Sequence, residues 1–225
     1  SAEDQKIKLE IRDRILEYMH SFDEDIKDKT QTEAFVKELA SLPKVCPHFH
    51  LSLQSGSNTV LKRMNRHYTA TEYKDSVENL RRAFERPAIT TDVIVGFPQE
   101  TEEEFAETKT FLEQIGFFEM HIFKYSKRKG TIAAGMPAQV PDPVKTIRSN
   151  ELLALEKVQS KEFRSFYQGK EVAVLFEESK QIQGKKYQMG HTVDYVKVAL
   201  ETEEDLVNQI RNVKVTGFLT DDILF

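Results

Sequence analysis

The sequence predicts an α/β protein: parallel strand–helix units, then a small all-β domain. Two observations predict it. Between residues 45 and 168, three β-rich apolar segments each lead into a helical stretch, the alternation that builds a parallel sheet. After Gly169 the helical signals stop, and short β-type segments separated by polar breaks follow to Phe225. Ahead of both lies a helical N-terminal segment, 1–44.

The elements follow in order. Ile7, Ile11, Ile15, Met19, Phe22 and Ile26 recur at three- and four-residue steps, which predicts a helix over 4–28. Thr30 with Glu33 is a capping box for a second helix that stops before Pro43. A strand is expected over 48–54. Thr69 with Glu72 opens a helix to about Glu85, ITTDVIVGF (89–97) is a strand apolar on both faces, and Thr101 with Glu104 opens a helix to about Gln114. EMHIFKYS (119–126) is the third strand. Asp142 as N-cap, Pro143 at the first helical position and Gly169 past the end bracket a long helix. KEVAVLFEE, KKYQMGHT, DYVKVALE and VKVTGFL are the strands of the final domain, 169–225.

Composition narrows the function. With 225 residues, 39% hydrophobic and 31% charged, the chain is globular, and no apolar run approaches the roughly 20 residues of a membrane span. One cysteine excludes an internal disulfide framework and fits the cytoplasm. A net charge of −5 means that any nucleic-acid contact must come from a local basic patch.

In CPHFHLSLQSG (46–56), ligand-type and hydrogen-bonding groups alternate with apolar ones. In an extended strand His48, His50, Ser52 and Gln54 share a face, which in a barrel points inward. Asp92, Ile94 and Gly96 of the middle strand, and His121, Phe123 and Tyr125 of the third, point the same way. Ligands of such sheets sit at the C-terminal strand ends, here QSG, GFPQET and YSKRKGT. In GFPQET, Gly96 permits close backbone approach, and the helix opened by Thr101 offers amides to an anion. Cys46, His48 and His50 resemble a metal set, but without a second ligand pair at metal-type spacing they are better read as a packed thiol and hydrogen-bonded imidazoles. Lys127, Arg128 and Lys129 form a basic loop suited to RNA.

Taken jointly, CPHFHLSLQSG, LKRMNR, TTDVIVGFPQETEEEF and MHIFKYSKRKGT resemble the radical S-adenosylmethionine (SAM) methylthiotransferases, and most closely the tRNA threonylcarbamoyladenosine branch (MtaB type). The β-rich C-terminus, with GHTVDYVKV, resembles that family's RNA-binding TRAM domain, an OB-like barrel. The resemblance implies the second half of a radical SAM (β/α) barrel over 45–168 and a TRAM domain over 169–225. It implies SAM across the strand ends, with Ser52, Gln54 and Ser55 on the ribose and methionine side, Ile94 and Gly96 beside the adenine, and Tyr125 and Ser126 closing that side. It implies a cytoplasmic, monomeric tRNA-modifying enzyme that places a methylthio group next to the anticodon, on the tRNA anticodon stem-loop. Lys127, Arg128, Lys129, Lys185, Lys186, Arg211 and Lys214 are the candidate RNA contacts.

The departures are as informative. The family's 4Fe-4S cluster needs three thiolates from a CxxxCxxC loop, and this chain has one cysteine. The cluster is therefore expected in the full-length parent and not here, with no catalytic or metal-binding residue assigned and the fragment alone inactive. Residues 1–29 carry no motif of the family. Gln99 stands where the family often has glycine, and Ser57 where close relatives often have cysteine. Three alternatives remain at this level: a non-catalytic tRNA-binding module, a methylthiotransferase of the isopentenyladenosine branch, and an unrelated metal-dependent barrel enzyme using Cys46, His48 and His50.

Overall fold

A computed structural model describes residues 29–225. The helix expected over 4–28 lies outside the described residues. The chain divides into two compact units, 1–45 and 46–225. In the first, α1 (Lys29–Ser41) ends ahead of Pro43 as expected, but Thr30 falls inside the helix and not at its cap.

The second unit holds two sheets. The first has the order β1-β2-β3, all parallel: β1 (His48–His50), β2 (Ala88–Val95) and β3 (Glu119–Lys124). Beyond β1 the chain stays alongside β2, since the Gln54 amide donates to the Asp92 carbonyl and the Ile94 amide to the Gln54 carbonyl. α2 (Asn58–Arg63) is a short helix at the start of the LKRMNR run that the sequence reading missed; its Val60 and Leu61 are buried. α3 (Ala70–Ala83) and α4 (Glu102–Ile115) start at complete capping boxes, Thr69–Glu72 and Thr101–Glu104, and α4 ends at Gly116 with φ 65°, a left-handed turn that glycine takes without strain. After β3 come the one-turn α5 (Ile132–Gly135), also unanticipated, and α6 (Asp142–Ser165), whose cap is Pro141, one residue earlier than expected.

Leu53, Val77, Val93, Leu112, Phe117 and Leu152 are fully buried beneath the helices. The opposite face of the sheet is open: Phe123 is 53% exposed, and His50 and His121 are exposed too. The strand alternation read from the sequence is therefore the observed one, with Met120 buried on the helix side and His121 on the open side.

The second sheet has the order β7-β4-β5-β6-β9-β8, antiparallel except between β6 and β9. Its strands are β4 (Glu171–Ile182), β5 (Lys185–His191), β6 (Lys197–Glu201), β7 (Ile210–Lys214), β8 (Phe218–Thr220) and β9 (Ile223–Leu224). Gly190 is required here, because a Cβ would stand 2.2 Å from the Leu175 carbonyl oxygen of β4. The sheet changes after Gly169, but one hydrophobic cluster spans the change. Val174, Phe176, Val198 and Val215 pack in one cluster with Ala88 at the start of β2 and Phe118 just before β3. His48 adds to this contact, with Nδ1 3.3 Å from the Asp194 carbonyl and its ring 4.9 Å from that of Tyr195. The β region thus sits against the N-terminal ends of the parallel strands.

Candidate functional site

At the other, C-terminal end of the parallel strands lies a cleft of about 480 Å³. Gln54, Asp92 and Ile94 form one side, Phe123, Tyr125 and Ser126 another, and Arg128, Thr131 and Ala133 its rim. The strand ends place these groups. Gln54 takes φ 71°, which turns the chain away from β2 just where its side chain meets the cleft. The Tyr125 amide donates to the Val95 carbonyl, extending β3 by one residue and setting that ring in place. Phe97 packs against the Tyr125 ring at 5.3 Å.

Of the seven residues expected around SAM, Gln54, Ile94, Tyr125 and Ser126 come together in this cleft. Ser52 lies just below it, donating from Oγ to Asp92 Oδ2 at 3.2 Å. Ser55 and Gly96 do not line it. The Ser55 hydroxyl is fully buried and bonded to Thr108 Oγ1 at 3.0 Å, so it fastens the QSG turn to α4. Gly96 is covered by Lys145, whose Cγ would lie 2.3 Å from a Cβ at that position. The glycine thus admits a lysine stem of its own chain, not a ligand.

The GFPQET turn is likewise filled from within. The Gly96 amide donates to Glu100 Oε1 at 2.9 Å, and Arg148 Nη1 donates to the same oxygen at 2.7 Å. Burial raises the Glu100 carboxyl, while the Gly96 amide and Arg148 pull it back. The capping box and the acidic first turn of α4, Glu102, Glu103 and Glu104, leave no place for an anion at that helix start. Gln99 has φ 68°, in the left-handed region that favours glycine.

The candidate RNA residues do not form one surface. Lys127, Arg128 and Lys129 are exposed at the cleft end, and Arg128 lines the cleft itself. Lys185 and Lys186 lie at the far end of the β4–β5 hairpin, where Lys185 pairs with Glu201 at 2.9 Å and Lys186 with Glu203. Arg211 pairs across β4 with Val174 and Lys185 with Ile182, eight residues along that strand, or roughly 26 Å at about 3.3 Å per residue. Arg211 and Lys214 are three residues apart on β7, so they face opposite sides. Lys161, unremarked in the sequence reading, adds a cation beside Phe218 on the β region, but it lies within reach of Asp221.

Phe123 was expected on this face, whereas Thr131 and Ala133 were missed as cleft residues. Their signal was their place directly around KYSKRKG, the segment that follows β3.

Residues 5–112 match the model of the Radical SAM superfamily, and so take in most of the 1–29 segment that carries no motif. Over 185 residues, 82% of this chain, it is 42% identical to the threonylcarbamoyladenosine tRNA methylthiotransferase MtaB of Bacillus subtilis (strain 168). The chain is homologous to the radical SAM tRNA methylthiotransferases. It is also 40% identical over 201 residues, 89% of its length, to the tRNA-2-methylthio-N(6)-dimethylallyladenosine synthase of Thermoanaerobacter sp. (strain X514). It spans 41% of the length of each of these relatives. A coproporphyrinogen III oxidase from Escherichia coli, itself a radical SAM enzyme, aligns over 51% of this chain and 27% of its own at 19% identity and a TM-score of 0.43, which adds nothing to the fold described above.

SAM suits the cleft. Tyr125, whose Oη is buried without a hydrogen-bond partner, lines it together with Gln54 and Ser126, and the volume is that of a small-molecule site. An iron–sulfur cluster does not suit this chain. Cys46 is its one thiol, exposed at the opposite end of β1, and a cluster open to SAM takes three. Among the described residues no helix is long and apolar enough to cross a membrane.

Proposed function

We propose that this chain is the C-terminal part of a tRNA methylthiotransferase that adds a methylthio group to threonylcarbamoyladenosine next to the anticodon. The supporting observation is the cleft at the C-terminal strand ends, where Gln54, Ile94, Tyr125 and Ser126 meet in a chain about 40% identical to such enzymes. When bound, SAM supplies the radical and the methyl group, and the cluster that opens it belongs to a part of the parent protein outside this chain. The residues here bind and orient. The Tyr125 hydroxyl and Gln54 amide hydrogen-bond the cofactor, Ile94 and Phe123 exclude water from its flat base, and Arg128 stands at the rim where an RNA phosphate enters. The β region grips the tRNA as a TRAM domain, from cations dispersed over its surface and not from one patch.

Identities of 42% and 40% to the two branches do not separate threonylcarbamoyladenosine from dimethylallyladenosine. Mass spectrometry of tRNA nucleosides from cells lacking the parent gene separates them. Loss of the methylthio group from threonylcarbamoyladenosine alone is the expected result. Loss from the dimethylallyl nucleoside moves the enzyme to the other branch, and an unchanged profile defeats the reading.

A further inference from the structure

We propose that His50, Asp92 and His121 form a binding site for a divalent transition metal, zinc by preference, on the open face of the parallel sheet. Each residue comes from a different strand. Strand register sets His50 opposite Thr90 and Asp92 opposite His121. Alternation along β2 then puts Asp92 on the same face as Thr90, between the two imidazoles. One ligand atom from each residue lies within 4.8 Å of the others. His50 Nε2 and Asp92 Oδ2 are 3.3 Å apart. Two ligands of a tetrahedral zinc with bonds of about 2.1 Å stand about 3.4 Å apart, so this pair is already placed. The His121 ring is exposed and closes the set by turning about its own side-chain bonds.

The support around the site is also that of a metal centre. His50 Nδ1 lies 2.9 Å from the hydroxyl of Thr90, which is 3% exposed. In the tautomer where Nδ1–H donates to that hydroxyl, the Nε2 lone pair points at Asp92, the orientation a metal ligand needs. Ser52 Oγ donates to Asp92 Oδ2 and holds the carboxylate from below. Two imidazoles and one carboxylate leave coordination positions open. Asp92 also lines the cleft, so those positions face it, and they suit a carboxylate or phosphate oxygen of whatever occupies the cleft. The set differs from the Cys46, His48, His50 group: Cys46 is exposed at the far end of β1, and His48 is held by Asp194 and Tyr195. It does not depend on SAM binding or on the tRNA reaction.

The test uses the chain as it stands. After metal removal, zinc binding is followed by titration calorimetry, and cobalt by its visible absorption, which reports tetrahedral nitrogen and oxygen ligands. One equivalent of zinc per chain is expected. His121→Ala and Asp92→Asn should each weaken binding by about tenfold or more and abolish the cobalt bands, and Cys46→Ser should leave both unchanged. Binding that survives both site variants, binding lost in Cys46→Ser, or no stoichiometric zinc in the wild type would overturn the proposal and leave His50, Ser52 and Asp92 a hydrogen-bonded network only.

Discussion

At Gln99 one backbone angle links the sequence to the site. A side chain with a Cβ is held at φ 68°, in the turn that joins β2 to α4. The left-handed region costs a non-glycine residue about 1–2 kcal/mol. Gln99→Gly relieves that strain but gives the unfolded chain more freedom, so a net gain of about 0.5–1 kcal/mol is expected. Urea unfolding of the two proteins measures it; a glycine variant no more stable than the wild type would show that the turn stores no strain. The same residue marks what was legible. The resemblance led to the expectation of a glycine at this position. That the backbone holds a left-handed conformation there was not legible, because the Gln99 amide is tied to the Ala138 carbonyl, which lies beyond α4, β3 and α5 in the chain.

Between elements, the firmest tie to α2 is the bidentate pair from Arg63 to Glu104 at the first turn of α4. Burial opposes the Glu104 charge, but Arg63 and the Thr101 amide outweigh it and lower the carboxyl from 4.5 to about 2. Because the folded value lies below the unfolded one, the stabilisation is complete above about pH 4.5 and is lost as pH falls toward 2. At about 1.4 kcal/mol per unit, the term is on the order of 3 kcal/mol at most. Glu104→Gln can keep the capping box through its amide oxygen, and it removes the charge together with one leg of the bidentate pair. Stability measured from pH 5 to pH 3 should therefore fall less steeply in the variant, and parallel curves would contradict the assignment. Elements of this kind were legible in part. The Thr69 and Thr101 boxes were found because capping is local, and the face of each strand because alternation is local. α2 and α5 escaped, being 6 and 4 residues long, too short for a period to register. Ser55 and Gly96 were expected around SAM from the resemblance, but contacts with Thr108 and Lys145 from later elements occupy them.

For the second compact unit as a whole, the sequence suggested two domains joined at Gly169, and one hydrophobic cluster holds Ala88 and Phe118 from before that junction with Val174, Phe176 and Val198 from after it. Composition marks where the type of secondary structure changes, but not which side chains pack across the change. Phe118, 2% exposed, belongs to the parallel half yet lies in the cluster of the β region. Phe118→Ala should cost about 3–5 kcal/mol. Its distinctive readout is hydrogen exchange: amides of β4, β5 and β6 should lose protection along with those of β2 and β3. Loss confined to the parallel strands would mean that the β region is stable alone. The parallel sheet carries a different consequence at its margins. Among the described residues β1 and β3 each pair on one side only, so each presents a row of unsatisfied amides and carbonyls beside an open face bearing Phe123. Such edges template intermolecular strand addition. Light scattering by the purified chain should therefore climb with protein concentration, and Phe123→Lys should suppress it; a chain that stays clear when concentrated would show that both margins are sheltered.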